Sequence, residues 1–480
     1  MPSRILLISA NRCETPDPVF PLGLACLNSA LRRAGHECRW HDRLIDGTDL
    51  GESLRRWKPD FVGISLRNID DVLIRRRETF FEDLSALTSA VKTRAGCPVI
   101  LGGSGFSVFP KRLLELSGAD YGIAGEGEVS LVRLIAALEG SALAREIPGL
   151  VYREGGRIQA NPMQAGPDQP GLETTDRPDR ITAHYLSAGG MLNLQTQRGC
   201  AFQCCYCTYP VIEGRAHRRR SPESIAADFE KLHHLGARYA VVVDSVFNSS
   251  PRHVTETCEA LVRSGNKLPW GCFLRPQGLS AELMRLMRRA GLAHIEFGSD
   301  SFCDEVLTEY SKGFTFDDIL QSSELARKED IDFCHFLIAG GPGETPKTIE
   351  RGFANSASLK EAVIMAVVGM RIYPGTDLSE RAGTEGQISR ETDLLSPTYY
   401  LAPGLTETEV FQQLNEFSGR SPNWIAGDPE PSYRDFVARL RRRGVVGPLW
   451  SYFSLLQRLG GVKTLSRMGR TAGRSEAGPH

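Results

Sequence analysis

The chain has 480 residues, enough for two or three domains that each bury a core of their own. Its 57 basic and 58 acidic residues leave a net charge of -1. That balance excludes a global electrostatic pull toward nucleic acid or an anionic membrane and leaves small, weakly charged molecules as the natural partners.

The opening MPSRILLISA reads as a first strand and lacks the long apolar stretch and cleavage site of a signal peptide. RILLISA (4–10), FVGISL (61–66) and PVILGGSGF (98–106) are short apolar runs ending in Gly or Ser, separated by helical patterns such as LGLACLNSALRRAG (22–35). DYGIAGEGEVSLVRLIAAL (120–138) adds a strand, a glycine turn and a helix. This alternation predicts an α/β fold: a Rossmann-like domain over 1–151 with a ligand crevice at its strand ends. Residues 152–190 turn polar and rich in Gly and Pro, with AGPDQPGLETTDRPDR at their centre, and read as a linker.

From 191 to 380 the strand–helix unit recurs six times, at LNLQTQ (192–197), YAVVVDS (239–245), WGCFLRP (270–276), HIEFGSD (294–300), DFCHFLIAG (332–340) and IMAVVGMRIYPG (364–375). A partial (β/α)6 barrel follows, with chemistry at the C-terminal ends of its strands. RSPESIAADFEKLHHLG (220–236) shows a Ser-Pro helix start and a Gly stop. The run AVIMAVVGM (362–370) is about half of the roughly 20 residues that span a bilayer, so a buried strand is expected and no transmembrane segment. Residues 381–480 predict a mostly helical region ending in a disordered tail, TAGRSEAGPH. VVGPLWSYFSLLQRLGGV (445–462) reads as an amphipathic, core-packing helix.

RGCAFQCCYCTYP (198–210) packs four of the twelve cysteines into eight positions directly after the first barrel strand. Without an export signal, cysteines so placed indicate reduced thiols or metal ligation, and the cytoplasm as location. Cys200, Cys204 and Cys207 stand in a CxxxCxxC spacing, from which a strand-to-loop turn can bend three thiolates toward one point. Zinc is one occupant of closely spaced thiolates, but no second CxxC follows, and His217, His233 and His234 lie on other elements. An iron-sulfur cluster is the other, normally held by four thiolates, so that three leave one iron open. Cys205 is surplus and receives no role.

At this loop the sequence resembles the radical S-adenosylmethionine superfamily. The resemblance implies that the open iron of a 4Fe-4S cluster chelates S-adenosylmethionine, and that one electron from the cluster, delivered by a donor such as flavodoxin or ferredoxin, releases a 5′-deoxyadenosyl radical. It implies further that Tyr206 packs against the adenine. YAVVVDSVFN (239–248) resembles the family's second strand and offers Asp244; a helix-capping Asp is the alternative. WGCFLRP resembles the third strand and aims Arg275 at the pocket. HIEFGSDS (294–301) resembles the fourth, with Glu296, Ser299 and Asp300 as candidates for the ribose or amino group; strand alternation puts Glu296 and Asp300 on one face and Ser299 on the other. FLIAGGPGET (336–345) resembles the fifth-strand glycine motif, where Gly340, Gly341 and Gly343 bring backbone near the cofactor or form only a tight turn. RIYPGT (371–376) resembles the sixth-strand segment bordering the adenine and includes Tyr373.

PLGLACLNSALRRAGHECRWHD (21–42), KPDFVGISL (58–66), LGGSGFSVFP (101–110) and GADYGIAGEGEVSL (118–131) resemble the cobalamin-binding domain that precedes the barrel in one group of these enzymes. No DxHxxG motif supplies a lower cobalt ligand, and His36 and His41, the nearest histidines, read as solvated surface residues. In SLRNIDDVLIRRRETFF (65–81), Arg67, Asn68 and Asp70 either meet corrin or substrate or belong to a solvated helix start. The runs Arg218 to Arg220 and Arg441 to Arg443 read as exposed helix faces, since no aromatic stacking pattern marks a nucleic-acid site. The resemblance implies cobalamin-dependent C-methylation of a small-molecule or peptide substrate. Its alternatives are a non-methylating radical cyclisation, rearrangement or oxidation, and a non-catalytic cobalamin- or metal-binding regulator.

Overall fold

The computed structural model describes residues 2–14, 17–140, 146–164, 175–421, 423–426 and 438–452, so the expected disordered tail and residues 453–462 of the expected amphipathic helix lie outside the described residues. Two seven-stranded sheets follow one another. The first holds β1 (Arg4–Ser9), β2 (Glu37–Asp42), β3 (Phe61–Ser65), β4 (Val99–Gly102) and β5 (Tyr121–Ile123), all parallel, then β6 (Leu150–Glu154) antiparallel to β5 and β7 (Arg157–Ala160) antiparallel to β6, in the order β2-β1-β3-β4-β5-β6-β7. RILLIS is apolar at consecutive positions because both faces of β1 are covered. Ile5 and Leu7 join Leu24, Leu31, Leu131 and Leu134 of the helices Leu22–Arg33 and Gly127–Glu139, whereas Leu6 and Ile8 share a core with Leu84, Leu87, Leu113 and Leu114 of Leu84–Ala95 and Pro110–Ser117. Connections leave β1 and β3 in opposite directions, which opens a crevice at their carboxyl ends.

The second sheet begins with β8 (Met191–Leu194). A two-residue antiparallel ribbon, β9 (Gln197–Arg198) with β10 (Arg218–Arg219), closes the loop that carries the cysteines. Then come β11 (Tyr239–Val242), β12 (Trp270–Leu274), β13 (Leu292–Asp300), β14 (Asp332–Ala339) and β15 (Val363–Val368), a second ribbon of β16 (Met370–Arg371) and β17 (Tyr399–Tyr400), and β18 (Trp424–Ala426). The parallel order β18-β15-β14-β13-β12-β11-β8 is an open barrel of the six expected strands with a seventh on its edge. Side chains of Ser221, Ser250, Ser280, Thr315, Thr345 and Thr376 accept backbone N–H bonds at the starts of successive helices, which turns each crossover back along the sheet.

Several expectations are corrected. The stretch read as linker contains β7 and the helix Asp179–Gly189, whose Tyr185 is buried against Phe20 and donates to Asp42 at 2.9 Å. His41 is buried, with Ser53 Oγ and Gly47 O each 3.1 Å from its ring nitrogens, and His36 is nearly covered beside Glu139; neither is a solvated surface residue. Residues 66–83 form an irregular loop and no helix start: Asp70 is buried and accepts from Arg371 Nε at 2.8 Å across the two domains. The basic runs are not uniformly exposed either, since Arg218 pairs with Glu126, Arg220 with Asp228 and Arg441 with Asp17. Among the described residues no helix is long and apolar enough to cross a membrane.

Candidate active site at the cysteine loop

Burial and backbone bonds fix the approach to the loop. Asp244 accepts from Thr196 N at 2.7 Å and Gln197 N at 3.3 Å and from the Thr196 hydroxyl, and burial pushes its carboxyl up to about 7. It therefore orders the turn between β8 and β9 and does not cap a helix. Gly199 has φ +84°, and a Cβ there would come within 2.0 Å of Ala216 O, so only glycine lets the chain enter the loop. Ser245 Oγ donates to Gly199 O at 3.0 Å, and Glu213 accepts Gly199 N at 3.0 Å.

Cys200 is buried, and Cys204 and Cys207 are half-buried. The Cys207 thiol is pushed up to about 12, first by burial and then by Cys204 and Cys200; burial and Cys204 likewise raise Cys200. Cys200 and Cys207, so raised, belong to a three-thiol donor set that a cationic cluster would deprotonate on binding. Among the described residues no group of three or more His, Cys, Asp or Glu side chains is already drawn together as a metal site. Cys205 packs in a separate apolar cluster with Val306, Ile372 and Leu378.

Three of the other expected residues meet the loop. Arg275 lies 3.8 Å over the Phe202 ring with Nη1 at 3.9 Å from Cys204 Sγ. Tyr206 donates its hydroxyl to Asp300. The same carboxylate binds Lys312 Nζ, which lies 3.5 Å from the Tyr206 hydroxyl. Burial works against the Lys312 charge, but Asp300 and then Cys204 outweigh it and hold the ammonium above its ordinary value. Sequence reading missed Lys312: it stands alone in YSKGF (310–314), and only its place just after the β13 crossover helix distinguishes it from a surface lysine.

The rest of the expected set is held elsewhere. A register shift between Phe297 and Asp300, where Asp300 takes φ +64°, breaks the alternation of β13. Glu296 accepts from Trp450 Nε1 at 3.0 Å, and Ser299 bonds His335 Nδ1 at 2.8 Å. A Cβ on Gly341 would strike Tyr310, on Gly343 Glu309 and on Gly340 Leu401, so each of these glycines is required by a close protein neighbour. Tyr373 lies under Arg371 and against Phe109 of the first domain.

Glu344 closes that glycine turn by accepting Gly340 N and Gly341 N, and burial pushes its carboxyl up to about 8. A folded value above the unfolded one means that the native chain keeps a proton the unfolded chain releases, so this group's contribution falls as pH rises from about 4 to about 8. Glu344→Gln keeps an acceptor without the ionisation; thermal melts of the apo chain at about pH 5 and about pH 8 are expected to show a smaller loss of Tm with pH than the parent, and equal losses would refute the assignment.

A cleft of about 1550 Å³, open to solvent, lies at the carboxyl ends of β1 and β3. Ser9, Asn11, Ser65, Arg67 and Gly102 line one side, and Gln195, Arg198, Tyr209, Ile212 and Glu213 of the barrel and its cysteine loop line the other. Two family models divide along this cleft: the B12 binding domain matches residues 10–135 and the radical SAM superfamily matches residues 194–352. The chain belongs to the cobalamin-binding radical S-adenosylmethionine enzymes.

This radical S-adenosylmethionine enzyme is 24% identical over 448 residues to the tryptophan 2-C-methyltransferase of Streptomyces laurentii, covering 78% of its own length and 74% of the relative's. It is 26% identical to the hopanoid C-3 methylase of Methylococcus capsulatus, over 68% of its own chain and 64% of that protein. Its fold matches the radical S-adenosylmethionine methyltransferase TsrM from Kitasatospora setae, solved with cobalamin and a [4Fe-4S] cluster bound, with a TM-score of 0.85 and 23% identity over 98% of this chain and 100% of that one. The two matched domains carry the cofactors: a 4Fe-4S cluster and S-adenosylmethionine with the radical SAM domain, and cobalamin with the B12 binding domain.

Proposed function

We propose that Cys200, Cys204 and Cys207 hold the cluster, that cobalamin occupies the cleft at β1 and β3, and that the enzyme methylates an unreactive carbon of a small molecule. The observation that carries this reading is the shared wall: Tyr209, two residues beyond Cys207, lines the cleft together with Ser9 and Ser65. A substrate lodged there has the cysteine loop on one side and the first sheet on the other. When bound, the cluster supplies the electron that splits S-adenosylmethionine, and cobalamin carries the methyl group.

The protein's own part is to hold and shield. Arg275, sandwiched by Phe202 and Phe314, places a fixed positive charge beside Cys204, where it counters the charge of a bound cluster. Asp300 and Lys312 lock the Tyr206 hydroxyl, so that its ring keeps one orientation for an adenine. The first domain spans 1–151 and the barrel 191–380 in this reading. None of the twelve cysteines forms a disulfide, which is consistent with a reducing cytoplasm, where a donor of the flavodoxin or ferredoxin kind would supply the electron.

Anaerobic reconstitution with iron, sulfide and hydroxocobalamin, then removal of free ligand and an absorbance spectrum, tests the pairing. Retained corrin bands with a cluster absorbance are expected; a cluster without corrin would remove the basis for methyl transfer.

A further inference from the structure

Two carboxylates of the cobalamin-binding domain reach across to the two ends of the cysteine loop. Glu126 and Glu128 begin the helix Gly127–Glu139, and both line the cleft. Arg198, at the entry of the loop, bonds Glu128 at 2.6 Å and approaches Glu126 at 3.2 Å. Arg218, at the exit, donates to both Glu126 oxygens and to Glu213 O at 3.0 Å. Their side chains are only 5–14% exposed. Arg198 and Arg218 are also partners in the ribbon of β9 and β10, so the four residues form one bridged unit. Burial works to raise Glu128, and Arg198 outweighs it and keeps the carboxyl below its ordinary value.

We infer that Glu126 and Glu128 are positioning residues that clamp the cysteine loop to the cobalamin-binding domain through Arg198 and Arg218. The clamp fixes the separation between the cleft and the three thiols from one domain to the other. No other ion pair among the described residues joins the first domain to this ribbon. Its consequence for chemistry rests on the assignment of the three cysteines given above; the clamp itself does not.

Amide hydrogen exchange of the full chain, parent against Glu126→Gln/Glu128→Gln, tests the inference. Exchange across residues 199–217 is expected to rise roughly tenfold or more, with β13 and β14 unchanged. In reconstituted, reduced protein the electron paramagnetic resonance signal should broaden at constant spin count, because the loop samples several positions. Should the double variant fail to fold, Arg198→Lys keeps the charge but loses the forked contact to two carboxylates, and a smaller rise confined to 199–217 is expected. Unchanged exchange of 199–217 in a folded variant would overturn the clamp, as would a rise spread over the whole barrel. Failure of the parent to assemble a cluster would instead sink the cysteine assignment and leave the exchange result standing.

Discussion

Replacing Cys200, Cys204 and Cys207 together with alanine abolishes cluster assembly and lowers 5′-deoxyadenosine formation by more than about a thousandfold, roughly 4 kcal/mol of barrier, while corrin binding persists. The separation follows from where the residues sit. The thiols belong to the loop after β9, whereas Ser9, Ser65 and Gly102 of the first sheet form the opposite wall of the cleft. Cys205→Ala is the matched control: its side chain packs with Val306, Ile372 and Leu378, so the variant should keep the cluster and lose only about 1 kcal/mol of packing. Iron content, absorbance and chromatography of the nucleoside read all three effects. A triple variant that still cleaves S-adenosylmethionine would show that the cluster is held elsewhere.

Arg371→Met is expected to destabilise the protein by about 3–5 kcal/mol, the loss typical when one member of a buried ion pair is removed. Asp70 and Arg371 are 0% and 3% exposed. Without the guanidinium, Asp70 is left buried with Val72 N as its other hydrogen-bond partner among the described residues, and the carbonyls of Ile372 and Leu394 lose this donor. Asp70→Asn/Arg371→Met should recover part of the loss, because no charge is then left alone. Denaturant melts decide this; a single-variant loss under about 1 kcal/mol would mean that the pair is solvated in solution.

What the sequence disclosed and withheld follows from the range of the interactions involved. RILLIS and VIMAVV announce buried strands because their signal is local and continuous, and the Ser and Thr caps announce helix starts for the same reason. The cysteine spacing is local too. Asp70 with Arg371 and Glu126 with Arg218 were unreadable: each charge looks like a solvated surface group until the fold brings its partner across the chain. Lys312 has the same origin, its partner Asp300 sitting at a register shift that periodicity does not register. β18 is three residues long and carries no periodic signal. The glycines of GGPGE were visible as a motif, but their neighbours, Tyr310, Glu309 and Leu401, lie on other elements, so tight protein packing and cofactor approach look alike in sequence.

The measurement that tests methyl transfer most directly is the fate of S-adenosylmethionine on the reduced protein loaded with iron, sulfide and hydroxocobalamin. S-adenosylhomocysteine is expected in an amount matching the bound corrin, lost when hydroxocobalamin is omitted, with 5′-deoxyadenosine abolished in the triple cysteine variant. Formation of 5′-deoxyadenosine alone, with no S-adenosylhomocysteine whether or not corrin is bound, would contradict methyl transfer and leave a radical enzyme of another outcome.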